Sequence, residues 1–132
     1  MELKGKNVFI TGSTRGIGLA MAHKFASLGS NIVLNGRREI DEVLVSEFSD
    51  YGVQVASISG DVSDSTDAKR MVEEAIEKLG SVDILVNNAG ITKDKLMLKL
   101  TEEDFEQVLK VNLVGAFNMT QAALKPMSKA RQ

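Results

Sequence analysis

Residues 7–18 read Asn-Val-Phe-Ile-Thr-Gly-Ser-Thr-Arg-Gly-Ile-Gly. Val8, Phe9 and Ile10 are an apolar run of β-formers without polar alternation, the pattern of a strand buried on both faces. Gly12, Gly16 and Gly18 make a turn, and a helical pattern opens with Ile17, Leu19, Ala20 and Met21. A strand, a glycine turn and a helix in that order bring backbone N–H groups and the positive end of a helix dipole to the end of a strand. That combination favours an anion such as phosphate. Glycine serves where the chain turns sharply or meets a ligand closely, since a Cβ would obstruct either. Gly12, Ser13, Thr14, Arg15, Gly16, Ile17 and Gly18 are therefore the candidate cofactor loop.

The remaining chain alternates in the same way. The helix from Ile17 to Leu28 closes at Gly29, and Asn31–Asn35 is a second strand. A helix from about Glu39 to Tyr51, ended by Gly52, leads to a third strand at Val53–Ser59. The polar cluster before Asp67 supplies N-cap candidates for a third helix, about Asp64 to Leu79, closed by Gly80. Val82–Val86 is a fourth strand. Thr101-Glu-Glu-Asp104 resembles a capping box opening a long helix through Phe105, Val108 and Leu113 to about Leu124 or beyond, which Pro126 is expected to kink or end. Strands alternating with helices imply βαβ units. Right-handed crossovers then give an α/β, Rossmann-type doubly wound parallel sheet of order 3-2-1-4, with the glycine loop near the switch point between strands 1 and 4. One domain over residues 1–132 is expected.

At 132 residues, 43% hydrophobic and 26% charged, the composition suits a soluble globular unit. The net charge of −2, without a basic block, leaves no electrostatic footprint for nucleic acid. No segment near the N-terminus is apolar enough for a signal peptide or membrane span. With no cysteine, disulfides and thiolate chemistry are excluded, and a cytoplasmic location is expected. His23, the only histidine, reads as a surface residue on the first helix, and no metal site is expected.

Four features in order, the Thr11–Gly18 loop, Asp61-Val62, Asn87-Asn88-Ala89-Gly90 and Asn112, resemble the short-chain dehydrogenase/reductase family over essentially the whole chain. The wording around them is most like the bacterial 3-oxoacyl-[acyl-carrier-protein] reductases of fatty-acid synthesis. The resemblance implies reduction of a 3-oxoacyl thioester on acyl-carrier protein, and homo-oligomers. It implies that Asp61 and the Val62 amide meet the adenine ring, that Asn87 stabilises the central sheet, and that Asn88, Ala89 and Gly90 lie along the cofactor. By the same resemblance Asn112 is the asparagine of the catalytic tetrad, holding a water behind the active-site lysine.

Cofactor choice also has a physical argument. NAD-binding units carry an acid at the end of strand 2 for the adenosine ribose. Here that place is Asn35-Gly36-Arg37, with no carboxylate, and Arg37 with Arg15 would suit the 2′-phosphate of NADP. The family's serine and Tyr-x-x-x-Lys follow a fifth strand, and no Tyr-x-x-x-Lys occurs in this chain. Its one tyrosine, Tyr51, is followed by Gln54 and Val55. The 132-residue polypeptide alone is therefore expected to lack reductase turnover. It is also expected to self-associate, through an unpaired Ile84-Leu85-Val86 edge or through the long helix. Alternatives are another short-chain reductase of a ketone, sugar or steroid, and a non-catalytic nucleotide-binding or association module.

Overall fold

The computed structural model describes residues 3–89, 103 and 115–130; Gly90, Asn112 and most of the expected capping box lie outside them. The elements in chain order are β1 (Asn7–Ile10), α1 (Gly16–Ser27), β2 (Asn31–Gly36), α2 (Glu42–Ser46), a 3₁₀ turn (Ser49–Tyr51), β3 (Val55–Ser59), α3 (Ser65–Leu79), β4 (Ile84–Val86) and α4 (Gly115–Ala130). The four strands form one parallel sheet in the order β3-β2-β1-β4. This is the order expected from right-handed crossovers.

The apolar run at 8–10 is buried on both faces because its side chains alternate between two cores. Phe9 and Val33 point into one with Met71, Val72 and Met119, from α3 and α4. Val8, Ile10, Ile32 and Leu34 point into the other with Ala22 and Ala26 of α1. The sheet thus sits between two helical layers. Its lower end is tied by Asn7. The Asn7 amide donates to the Leu79 carbonyl (3.1 Å) and Ser81 Oγ (3.0 Å), and its Oδ1 accepts from Asn31 Nδ2 (2.9 Å).

The structure differs from the sequence expectation at two places. The helix expected over 39–51 is a short α2 followed by the 3₁₀ turn. Asp41 Oδ1 accepts from the Val43 N–H at 2.9 Å and so starts the helix later. At its end, Ser46 Oγ donates to the Val43 carbonyl, and Phe48 turns inward to complete burial, ending the helical run. Gly52, at φ +70°, takes the left-handed conformation that redirects the chain to β3.

His23, expected at the surface, is only 29% exposed in its side chain and packs against the α2 segment. Its ring stacks on Phe48 with centroids 4.2 Å apart, Nδ1 is 2.8 Å from Tyr51 Oη, and Nε2 lies 3.6 Å from Glu47. These partners come from another element, so helical spacing on α1 could not show them. As the sequence allowed, the last helix runs beyond Leu124: α4 continues through Pro126 to Ala130, and the proline ring deprives the Ala122 carbonyl of its usual donor.

Phe48, fully buried beneath His23 and among Val8, Ile10 and Leu34, is the apolar anchor of this segment. Phe48→Ala is expected to cost about 3–5 kcal/mol, read as a fall in the urea midpoint at unchanged slope.

Candidate functional site

The glycine loop is built from below by β2. Asn35, only 1% exposed, accepts the Gly12 N–H on Oδ1 at 3.1 Å and donates from Nδ2 to the Ile58 carbonyl at 3.0 Å. Its backbone is paired with Ser13. The Ser13 N–H donates to the Asn35 carbonyl (2.8 Å), and the Asn35 N–H donates to Ser13 Oγ (2.9 Å). Ser13 Oγ also donates to the Ile10 carbonyl, and the residue is fully buried. Ser13 is thus committed to holding the loop from within. The sequence reading grouped it with the contact residues because its spacing does not reveal which way it faces.

β4 closes the other side. Thr11 Oγ1 accepts from both the Asn88 N–H (2.9 Å) and the Ala89 N–H (2.8 Å), and Asn88 Nδ2 donates to the Gly12 carbonyl (3.0 Å). The approach is close. A Cβ on Gly12 would come within 2.8 Å of the Ala89 backbone, and one on Gly18 would meet the Gly12 carbonyl at 2.2 Å. Gly12 and Gly18 are therefore small for the protein's own packing. Gly16 differs, because at φ +59° its Cβ would meet nothing within 4 Å, so its hydrogen faces open space. Asn87, just past β4, donates from Nδ2 to Thr120 Oγ1 of α4 at 2.9 Å.

The open side of the loop has the features an anion needs. Arg15 occupies the N-cap of α1 in extended conformation, no side chain caps the helix, and its first turn holds no acid. The unmet N–H groups and the dipole are therefore available. Ile17 stands 76% exposed beside them, an apolar surface next to a polar loop. Thr14, Arg15, Gly36, Arg37 and Arg38 together line a cavity of about 640 Å³, so Arg15 and Arg37 do converge on one space. Glu39, Asp41 and Glu47 line it too. Two of these carboxylates are engaged elsewhere, Asp41 as the α2 cap and Glu47 beside His23. Gly36 leaves room for the loop, since a Cβ there would press on Thr14 Cγ2 at 2.9 Å.

At the end of β3, exposed Asp61 accepts from both the N–H and Oγ of Ser63, through Oδ1. The Asp61 N–H donates to Asp67, and Arg70 bridges Asp67 Oδ1 (2.8 Å), Glu74 and the Ser59 carbonyl (2.7 Å). Burial alone would raise the Asp67 pKa. The hydrogen bonds from Arg70 and the Asp61 N–H, with the Arg70 charge, outweigh it and hold the carboxyl below its ordinary value. Val62 is buried. Thr11, Asn35 and Asp67 were missed as site residues in the sequence. Asn35 left the clearest trace, a polar residue ending an apolar strand.

A family model described as short chain dehydrogenase matches residues 6–132. The chain belongs to the short-chain dehydrogenase family. It is 42% identical, over 99% of its length, to the 3-oxoacyl-[acyl-carrier-protein] reductase FabG of Aquifex aeolicus (strain VF5), of which it covers 54%. Against the FabG reductase of Staphylococcus aureus (strain Mu50) the identity is 38%, covering 96% of this chain and 52% of the relative. The chain thus spans about half the length of these relatives. Among solved structures, a short-chain type dehydrogenase/reductase from Mycobacterium marinum superposes with a TM-score of 0.90 at 31% identity, covering 98% of this chain and 53% of the other. The NADH-dependent reductase A1-R′ complexed with NAD superposes at 0.86 with 27% identity, covering 97% of this chain and 54% of the other. Within this family fold, no helix among the described residues is long and apolar enough to cross a membrane.

Two outcomes check this geometry. Asn35→Leu strands the Gly12 N–H and the Ile58 carbonyl, and a loss of about 2–4 kcal/mol in denaturant unfolding is expected. Because the Asp67 pKa is depressed on folding, its contribution is complete above the unfolded value near ~4 and fades as pH falls through the lower folded value. Asp67→Asn should therefore lower Tm at neutral pH and shrink the difference from wild type toward pH ~2.

Proposed function

We propose that this chain forms the cofactor-binding half of an NADPH-dependent reductase that converts 3-oxoacyl to 3-hydroxyacyl thioesters of acyl-carrier protein. The observation that carries the cofactor part is the joining of an uncapped α1 N-terminus to a cavity lined by Arg15 and Arg37, with Gly36 where an NAD-type acid would stand. The substrate part is supported by the identity to the two FabG reductases.

On this reading the α1 N-terminus and the amides of Thr14 to Gly18 receive the pyrophosphate, with Gly16 giving the closest backbone approach. Ile17 covers the dinucleotide with apolar surface, and Ala89 lines it farther along, beside Gly12, with Gly90 assigned there by family alone. Arg37 and Arg15 hold the 2′-phosphate, and Asp61 and Val62 the adenine. NADPH when bound supplies a hydride; the protein's part in this half is to bind and orient it. Asn112 is assigned to the proton relay by family alone. Residues 1–132 act as one cofactor-binding unit, and the working enzyme is a cytoplasmic homo-oligomer.

Titration of the purified chain with NADPH and NADH, followed by fluorescence, tests this. NADPH is expected to bind more tightly, and Arg37→Leu to weaken NADPH about tenfold while leaving NADH unchanged. Equal affinity for the two, or an Arg37 variant indifferent to the 2′-phosphate, would overturn the choice of cofactor. Turnover of acetoacetyl thioesters with NADPH by a form spanning the full length of the FabG relatives tests the substrate, and no turnover would overturn that part.

A further inference from the structure

Asn118 is a polar residue on the buried face of α4. It is 8% exposed, and its neighbours Met119 and Ala123 pack in one cluster with Val62, Met71 and Val72. An amide in that position costs desolvation unless it is bonded. Its Nδ2 donates to the Val62 carbonyl at 3.1 Å, across 56 residues of sequence. The other bonds holding the Asp61-Val62 turn are local. They come from Ser63 to Asp61, from the Asp64 N–H to the Asp61 carbonyl, and from the Asp61 N–H to Asp67. Among the described residues, Asn118 makes the only hydrogen bond to Asp61 or Val62 from outside the β3–α3 segment.

Val62 is thereby held at two points, with its side chain in the core and its carbonyl on α4. Its N–H has no acceptor among the described residues. A backbone donor left unbonded in an ordered turn is suited to a ligand acceptor. We infer that Asn118 is a positioning residue for adenine: it fixes Val62 so that the N–H of this residue is presented to a ring nitrogen. The inference rests on the cofactor reading above and adds to it a residue of α4, remote in sequence from the glycine loop.

The test compares the two halves of the cofactor. Binding of NADPH, 2′,5′-ADP and reduced nicotinamide mononucleotide is measured by calorimetry for the wild-type chain and for Asn118→Leu, which keeps the volume but not the donor. The variant is expected to bind NADPH and 2′,5′-ADP about fivefold more weakly and the mononucleotide unchanged. Unchanged 2′,5′-ADP affinity, or equal losses for both halves, would overturn the inference while leaving the cofactor reading intact. A wild-type chain that binds no 2′,5′-ADP would overturn the reading itself, and the inference with it. Should Asn118→Leu fail to fold, Asn118→Ser, which shortens the side chain out of reach of Val62, is judged by the same comparison.

Discussion

The hydrogen bond from the Gly12 N–H to Asn35 Oδ1 is the constraint on which the upper end of this molecule depends. One buried amide side chain joins the glycine loop to β2 and, through its Nδ2, to the carbonyl of Ile58 in β3. The same Nδ2 lies 3.3 Å from Met71 Sδ of α3, so four elements meet at one residue. In a low-dielectric interior such bonds gain strength, and each group left without its partner costs more than the bond itself contributes. The loop is consequently held in its turn before any ligand arrives. A ligand then need not supply the free energy of ordering it.

That scaffold also divides the loop by function. The N–H groups of Gly12 and Ser13 are consumed internally, on Asn35. The N–H groups from Thr14 to Gly18, at the mouth of an uncapped helix, have no acceptor among the described residues. Gly12 and Gly18 lack side chains because Ala89, Asn88 and the loop itself occupy that volume, whereas Gly16 lacks one where space is open. The end of β3 repeats the plan with charged groups. Asp67 and Arg70 grip the turn around Asp61 from α3, and Asn118 grips it from α4. Charges used in this way are half exposed and serve geometry more than stability.

The sheet order and the two-faced burial of β1 follow from patterns that are local in sequence. Apolar runs, glycine stops and alternating elements leave few topologies once crossovers are right-handed. The convergence of Arg15 and Arg37 was legible for the same reason, since both lie at the carboxyl ends of adjacent strands. Less legible were features decided by contacts between elements. α2 is short because Asp41 caps it late and Phe48 must reach the core. His23 acquires Phe48, Tyr51 and Glu47 only when α1 lies against that segment.

The sequence by itself determined the α/β architecture, the position of the glycine loop and the family to which the chain belongs. Periodicity and glycine spacing act over a few residues, and they survive without knowledge of the rest. The tertiary structure alone decided which polar residues face the ligand space and which hold the loop in place. Ser13 and Thr14 are neighbours in one motif, yet Ser13 is buried on Asn35 and Thr14 lines the cavity. That difference depends on where the backbone turns relative to β2, and on a partner as distant in sequence as Asn88, which holds the Gly12 carbonyl. Direction and long-range partnership are properties of packing, which no local pattern encodes.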